Sequence, residues 1–178
     1  PALHPEPMRA NCGPRGRLAF GLTPRAIWLL AAGLLLVLPG FFDARMSYGI
    51  LPWDALVLIA ALWDGLRLPA PAQIAIERSW SNAPSLDSET EIQLAIEQKS
   101  GTILECRLVD DLPDALVNTP ATNSLRAFPG IRAVLRYRLE PRERGDLQAG
   151  AVYLRYRSGL GLVAFWAVSP LEPTVRVY

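Results

Sequence analysis

Apolar and polar positions alternate in two different ways along this chain, and the change falls near residue 70. Residues 26–42 form an uncharged apolar run, from Ala26 through Leu34, Leu35 and Leu36 to Phe42. A second, weaker apolar run covers residues 50–66 and contains Asp54 and Asp64. As helices at about 1.5 Å per residue, each run reaches roughly 25 Å, close to the roughly 30 Å of a bilayer core. The expectation is a transmembrane helical hairpin over residues 23–68, preceded by a disordered tail over 1–22. Trp28, Trp53 and Trp63 read as interfacial anchors. Pro52 reads as a first-turn proline, with Asp54 at the positive end of the helix dipole and Asp64 paired with Arg67.

Residues 69–71, Pro69-Ala70-Pro71, stop a helix and serve as a short linker. Beyond them the period is two. Runs at 73–80, 91–97, 102–109, 131–139, 151–157, 162–168 and 174–178 each place apolar residues on one face. Turn residues separate them, as at Ser100-Gly101, Pro129-Gly130 and Ser158-Gly159. About seven short strands without an intervening amphipathic helix predict an all-β antiparallel sandwich of immunoglobulin-like type over residues 72–178, with a small open barrel as the alternative.

Charge refines the picture. Arg9, Arg15, Arg17 and Arg25 precede the first apolar run, and Arg67 and Arg78 follow the second, while the turn between them holds only Arg45. By the positive-inside rule both termini are expected in the cytoplasm, with the hairpin in a bacterial inner membrane. The net charge of +1 excludes the global basic field of a nucleic-acid binder. Arg132, Arg136 and Arg138 share one strand face, and Arg155 and Arg157 share another. If those strands are neighbours, the five guanidinium groups form a candidate contact for anionic lipid or an acidic partner, partly neutralised by Glu140 and Glu143.

Catalytic chemistry has little to work with. His4 is the only histidine, and Cys12 and Cys106 are far apart in sequence, so no His-based triad or zinc cluster is expected. Lys99-Ser100 lacks the glycines of a phosphate loop. Asp110, Asp111 and Asp114 form the densest acidic group; their spacing matches no EF-hand, and a solvated turn is the expectation. No catalytic, cofactor or metal residue is assigned, and Cys12 and Cys106 are expected to be a free tail thiol and a buried core thiol.

The order of motifs carries a resemblance. Leu22-Thr-Pro-Arg25, the apolar hairpin, Asp111-Leu-Pro113, Tyr137-Arg-Leu-Glu-Pro-Arg-Glu-Arg-Gly145-Asp146, Val152-Tyr-Leu-Arg-Tyr-Arg157, Gly159-Leu-Gly-Leu162 and Thr174-Val-Arg-Val-Tyr178 succeed one another. Together they resemble the bacterial family called domain of unknown function 58, from about Leu22 onward. The Arg-Ser before Gly159 departs from the Asp or Pro usual there. That family continues into a von Willebrand factor A-like domain, so the resemblance covers its N-terminal part only. It implies a MoxR-type AAA+ ATPase as partner. The functional expectation is a non-catalytic, membrane-anchored interaction or scaffold protein. The alternatives are a transport or proton pathway through Asp54 and Asp64 and, least favoured, an enzyme.

Overall fold

The computed structural model describes residues 7–16, 19–41, 48–86, 88–113, 115–116, 122–171 and 174–177. His4, Asp114 and most of the turn after the first apolar run, Arg45 included, lie outside them. Among the described residues, twelve strands and two α-helices are arranged in the order β1 (Met8–Asn11), β2 (Gly13–Pro14), β3 (Phe20–Leu22), α1 (Pro24–Gly33), α2 (Ile50–Arg67), β4 (Ile74–Trp80), β5 (Thr90–Gln98), β6 (Leu104–Asp110), β7 (Thr122–Ala127), β8 (Ala133–Leu139), β9 (Gly145–Gln148), β10 (Val152–Arg157), β11 (Val163–Ser169) and β12 (Thr174–Val177).

One sheet runs β1-β4-β5-β8. The second runs β2-β11-β10-β6-β7, with β3 also paired to β11, and β12 pairs with β9. Each pairing is antiparallel. Ile76, Ile92, Leu94 and Ile96 of the first sheet meet Leu104, Leu108, Leu154 and Tyr156 of the second in a single buried cluster, as the sandwich expectation requires. The inward sets on β5, β6 and β10 agree with the period-two reading, because alternate side chains must leave opposite faces of a strand. On the strand predicted over 131–139 the alternation also holds, except that Ile131 precedes β8 and is exposed.

The transmembrane hairpin is not found: among the described residues no helix is long and apolar enough to cross a membrane. The membrane-spanning fold and the inner-membrane placement inferred from the two runs are therefore corrected. Two local causes are visible. The first run is α-helical only over Pro24–Gly33, 10 residues, and continues over Leu34–Phe41 as a tighter 3-10 helix. Ten α-helical residues rise only about 15 Å. Pro39 has no N–H to donate and disfavours α geometry in the residue before it. The second run, α2, has 18 residues but includes Asp54, Asp64 and Arg67.

The segment expected to be a disordered tail carries β1, β2 and β3 instead. Arg9 on β1 reaches Glu97 on β5 at 2.6 Å, and Cys12 is buried in the core. Single residues of this stretch alternate too briefly to register as strands. Partners supplied by β4 and β11 create them.

Candidate functional site

Three places in the molecule bring functional groups together: the joint between hairpin and sandwich, a buried charge cluster between the sheets, and the arginine-rich outer faces.

At the joint, Asp64 is 1% exposed. Its carboxylate accepts the hydroxyl of Ser158 and the backbone N–H groups of Leu162 (2.9 Å) and Val163 (3.2 Å). The expected pair with Arg67 does not form; the Arg67 guanidinium lies 3.5 Å above the Trp63 ring. The same loop receives α1. Thr23 caps that helix, accepting from the Ala26 N–H, and donates its hydroxyl to the Gly161 carbonyl at 2.5 Å. Gly161 has φ +65°, a left-handed conformation that lets the loop turn back around both helix ends. The Ser158–Leu162 loop is thus a socket for the whole hairpin.

Within the hairpin, Gly33 allows close approach: a Cβ there would lie 2.6 Å from the Trp53 ring. Trp53 donates its indole N–H to the Leu29 carbonyl at 2.9 Å, so it ties α2 to α1. Asp54 falls in the second turn of α2, beside Gly33, and one carboxylate oxygen is buried without a hydrogen-bond partner. Val57, Ala61 and Asp64 form the single buried stripe of α2. Leu51, Leu56, Leu58, Ile59, Leu62 and Leu66 are between 51% and 76% exposed. Ile27, Trp28, Leu34 and Leu35 of the first apolar run are exposed as well.

Between the sheets, Arg78 points inward in phase with Ile74 and Ile76. It forms an ion pair with Asp110, and both side chains are at most 1% exposed. Arg78 also donates to the carbonyls of Leu171 (2.6 Å) and Gly150 (3.1 Å), while Tyr137 donates its hydroxyl to the other Asp110 oxygen. Burial raises the Asp110 pKa, opposed by the Arg78 charge and the two hydrogen bonds. Burial and the adjacent carboxylate raise that of Tyr137. Asp110 is therefore a core residue and not part of a solvated turn, while Asp111 is exposed. Period-two phase was the available signal: Asp110 follows Leu104, Cys106 and Leu108, and Tyr137 follows Ala133 and Leu135.

The five predicted contact arginines do not share a face. β8 belongs to the first sheet and β10 to the second, so the two groups lie on different sheets. Arg132 meets Glu77 at 2.7 Å, Arg138 meets Glu89 at 3.0 Å and Arg136 meets Glu91 at 3.7 Å. The neutralising carboxylates come from β4, β5 and the loop before β5, and no ion pair to Glu140 or Glu143 occurs among the described residues. On β10, Arg157 pairs with Glu105 at 2.7 Å, and the Arg155 guanidinium lies 5.4 Å from the Trp166 ring centre. Periodicity missed Arg107 and Arg126, which join Arg155 and Arg157 around an open groove of about 610 Å³. β7 was not predicted, so Arg126 had no strand to place it.

Both thiols are buried, and desolvation pushes the pKa of Cys12 and of Cys106 up to about 12. Both are therefore protonated, poorly nucleophilic core groups at neutral pH.

No family model and no curated protein matches the chain. Among solved structures, it is similar to a Niemann-Pick type C2 protein from Japanese carpenter ant. The likeness has 8% identity, covers 53% of this chain and 78% of that one, and has a TM-score of 0.24. At that level it carries no argument about function.

Proposed function

We propose that the chain is a non-catalytic interaction protein in which the sandwich is a rigid platform and the hairpin its docking element. The carrying observation is the uncovered apolar surface of the hairpin, fixed to the sandwich through Asp64 and Thr23. Isolated proteins rarely expose contiguous apolar patches beyond a few hundred Å², and larger ones mark contact sites. The buried thiols offer no exposed nucleophile, and the Arg78–Asp110 ion pair is buried between the sheets.

The occupant we propose is the tail region of a lipid surface, contacted without crossing it. Between Arg25 and Arg67 the described residues carry only two charges, Asp54 and Asp64. Asp54 lies against α1 and Asp64 in the socket, so the exposed face is uncharged. Trp28 and Trp63, both exposed, lie near the sandwich end beside Arg25 and Arg67, an order suited to a headgroup boundary. The MoxR-type ATPase implied by the sequence resemblance is carried as the proposed protein partner, for which the sandwich is the accessible body.

Flotation with neutral phosphatidylcholine vesicles tests the docking element. The chain is expected to float, and Leu58→Asp with Leu62→Asp to remain at the bottom while keeping its β-sheet circular dichroism. A wild-type chain that stays at the bottom as a defined dimer overturns the lipid reading in favour of a second copy. One that stays there as a monomer overturns the docking role itself.

A further inference from the structure

The outer face of the second sheet carries a charge pattern that its own residues leave incomplete. Strand register divides it into rungs. In one rung Glu105 of β6 lies between Arg157 of β10 and Arg126 of β7. Its carboxylate reaches Arg157 at 2.7 Å and Arg126 at 3.6 Å, so this rung has its counter-ion. In the next rung Arg107 lies between Arg155 and Ser124. Two guanidinium groups face each other across adjacent strands there, and no carboxylate contacts either among the described residues. Like charges directly opposite on a sheet destabilise it.

Those two rungs line the same groove of about 610 Å³. Four arginines and one glutamate leave it a formal charge of +3, in a chain whose net charge is only +1. Arg155 is steadied by Trp166, and Arg15 adds a fifth guanidinium nearby, 4.6 Å from the centre of the Tyr153 ring on the same strand face. On β8 the sequence supplies each arginine with a carboxylate; here it supplies one carboxylate for four.

We propose that this groove is a binding site for a phosphate-bearing ligand, held between Arg107 and Arg155 and flanked by Arg126 and Arg157. Guanidinium groups bind phosphate oxygens bidentately, and a phosphate group offers four arginines more acceptor oxygens than one carboxylate does. Ser124 supplies a neutral hydroxyl in the same rung. The site is independent of the hairpin's apolar surface and stands whether or not that surface binds lipid.

Isothermal titration of the 178-residue chain with pyrophosphate, and flotation with vesicles of phosphatidylglycerol, test the site and separate a free phosphate ester from a lipid headgroup. The Leu58→Asp/Leu62→Asp background removes the apolar contribution from the vesicle arm. Arg107→Ser/Arg155→Ser is expected to weaken binding at least tenfold in whichever arm is positive. Arg107→Lys/Arg155→Lys keeps the charge, loses the bidentate fork, and is expected to weaken binding severalfold; it carries the test should the serine variant unfold. Arg132→Ser/Arg136→Ser/Arg138→Ser removes more charge from the other sheet and is expected to change binding less than twofold. Pyrophosphate binding assigns a soluble phosphate ligand, and vesicle binding alone assigns a headgroup. Absence of binding in both arms overturns the site, as does an equal loss in the first-sheet triple variant.

Discussion

Arginine does opposite work on the two sides of the first sheet. Inside, Arg78 is buried with Asp110 beside Tyr137 and makes three hydrogen bonds, to Asp110 and to the carbonyls of Leu171 and Gly150. Outside, Arg132, Arg136 and Arg138 are more than half exposed, and each meets one carboxylate. The contacts look alike, but the solvent differs. In water an ion pair gains little, because both charges were already well solvated. In the core, losing one partner strands the other without solvent, so the penalty for breakage greatly exceeds what the pair contributes when whole.

Breaking the inner cluster should give the largest effect. Arg78→Met leaves Asp110 buried and unpaired, and urea unfolding should show a loss of about 3–5 kcal/mol. The triple change Arg78→Met/Asp110→Leu/Tyr137→Phe removes the three polar side chains together, leaving only the Leu171 and Gly150 carbonyls without the donor, and should recover much of that loss. Failure of the triple variant to recover would show that the cluster also specifies how the two sheets align.

Asp64→Ala comes next. It strips partners from two backbone N–H groups and one hydroxyl, each worth about 1 kcal/mol when left buried and unsatisfied. The loss should be about 2–3 kcal/mol, with amide exchange accelerated first at Leu162 and Val163. Exchange accelerated equally throughout the sandwich would mean that the hairpin and sandwich unfold as one unit.

Alkaline pH probes burial through the thiols. The folded-state pKa values of Cys12 and Cys106 are raised to about 12 from 9.0. A raised value means that the unfolded chain releases its protons first. The stabilisation is therefore complete below about pH 9 and is lost progressively as pH climbs toward 12. A disulfide-exchange reagent at pH 8 should label neither thiol in the native chain and both in urea. Rapid native labelling of Cys12 would show that the β1–β2 segment opens locally.

The outer arginines should give the smallest response. Arg132→Ser, Arg136→Ser and Arg138→Ser should each change stability by less than about 1 kcal/mol, and less still at high salt. A cooperative loss in the triple variant would show that the row acts as a network spanning β4, β5 and β8.

The strands of the second half were legible because alternation is a local property: a residue's parity along a strand decides which face it joins. That parity placed Ile92, Leu94, Ile96 and Tyr137 inward, and the same phase, carried through Ile74 and Ile76 and through Leu104, Cys106 and Leu108, also points Arg78 and Asp110 inward. β1, β2 and β3 were not legible, since strands of two to four residues exist only by virtue of the neighbours that pair with them.

Sequence alone determined where the two apolar runs lie, where the chain changes from continuous apolar runs to period two, and which side of most strands is buried. These follow from hydrophobicity and backbone geometry within a few residues. Tertiary structure decided which strands are neighbours, and with that every charge relationship across them. It separated Arg132, Arg136 and Arg138 from Arg155 and Arg157, gave Asp64 to the Ser158–Leu162 loop in place of Arg67, and set Arg107 opposite Arg155. The physical reason is range: an ion pair or a buried hydrogen bond requires atoms within a few ångströms, and here the partners are separated by tens of residues that only strand pairing and sheet packing bring together.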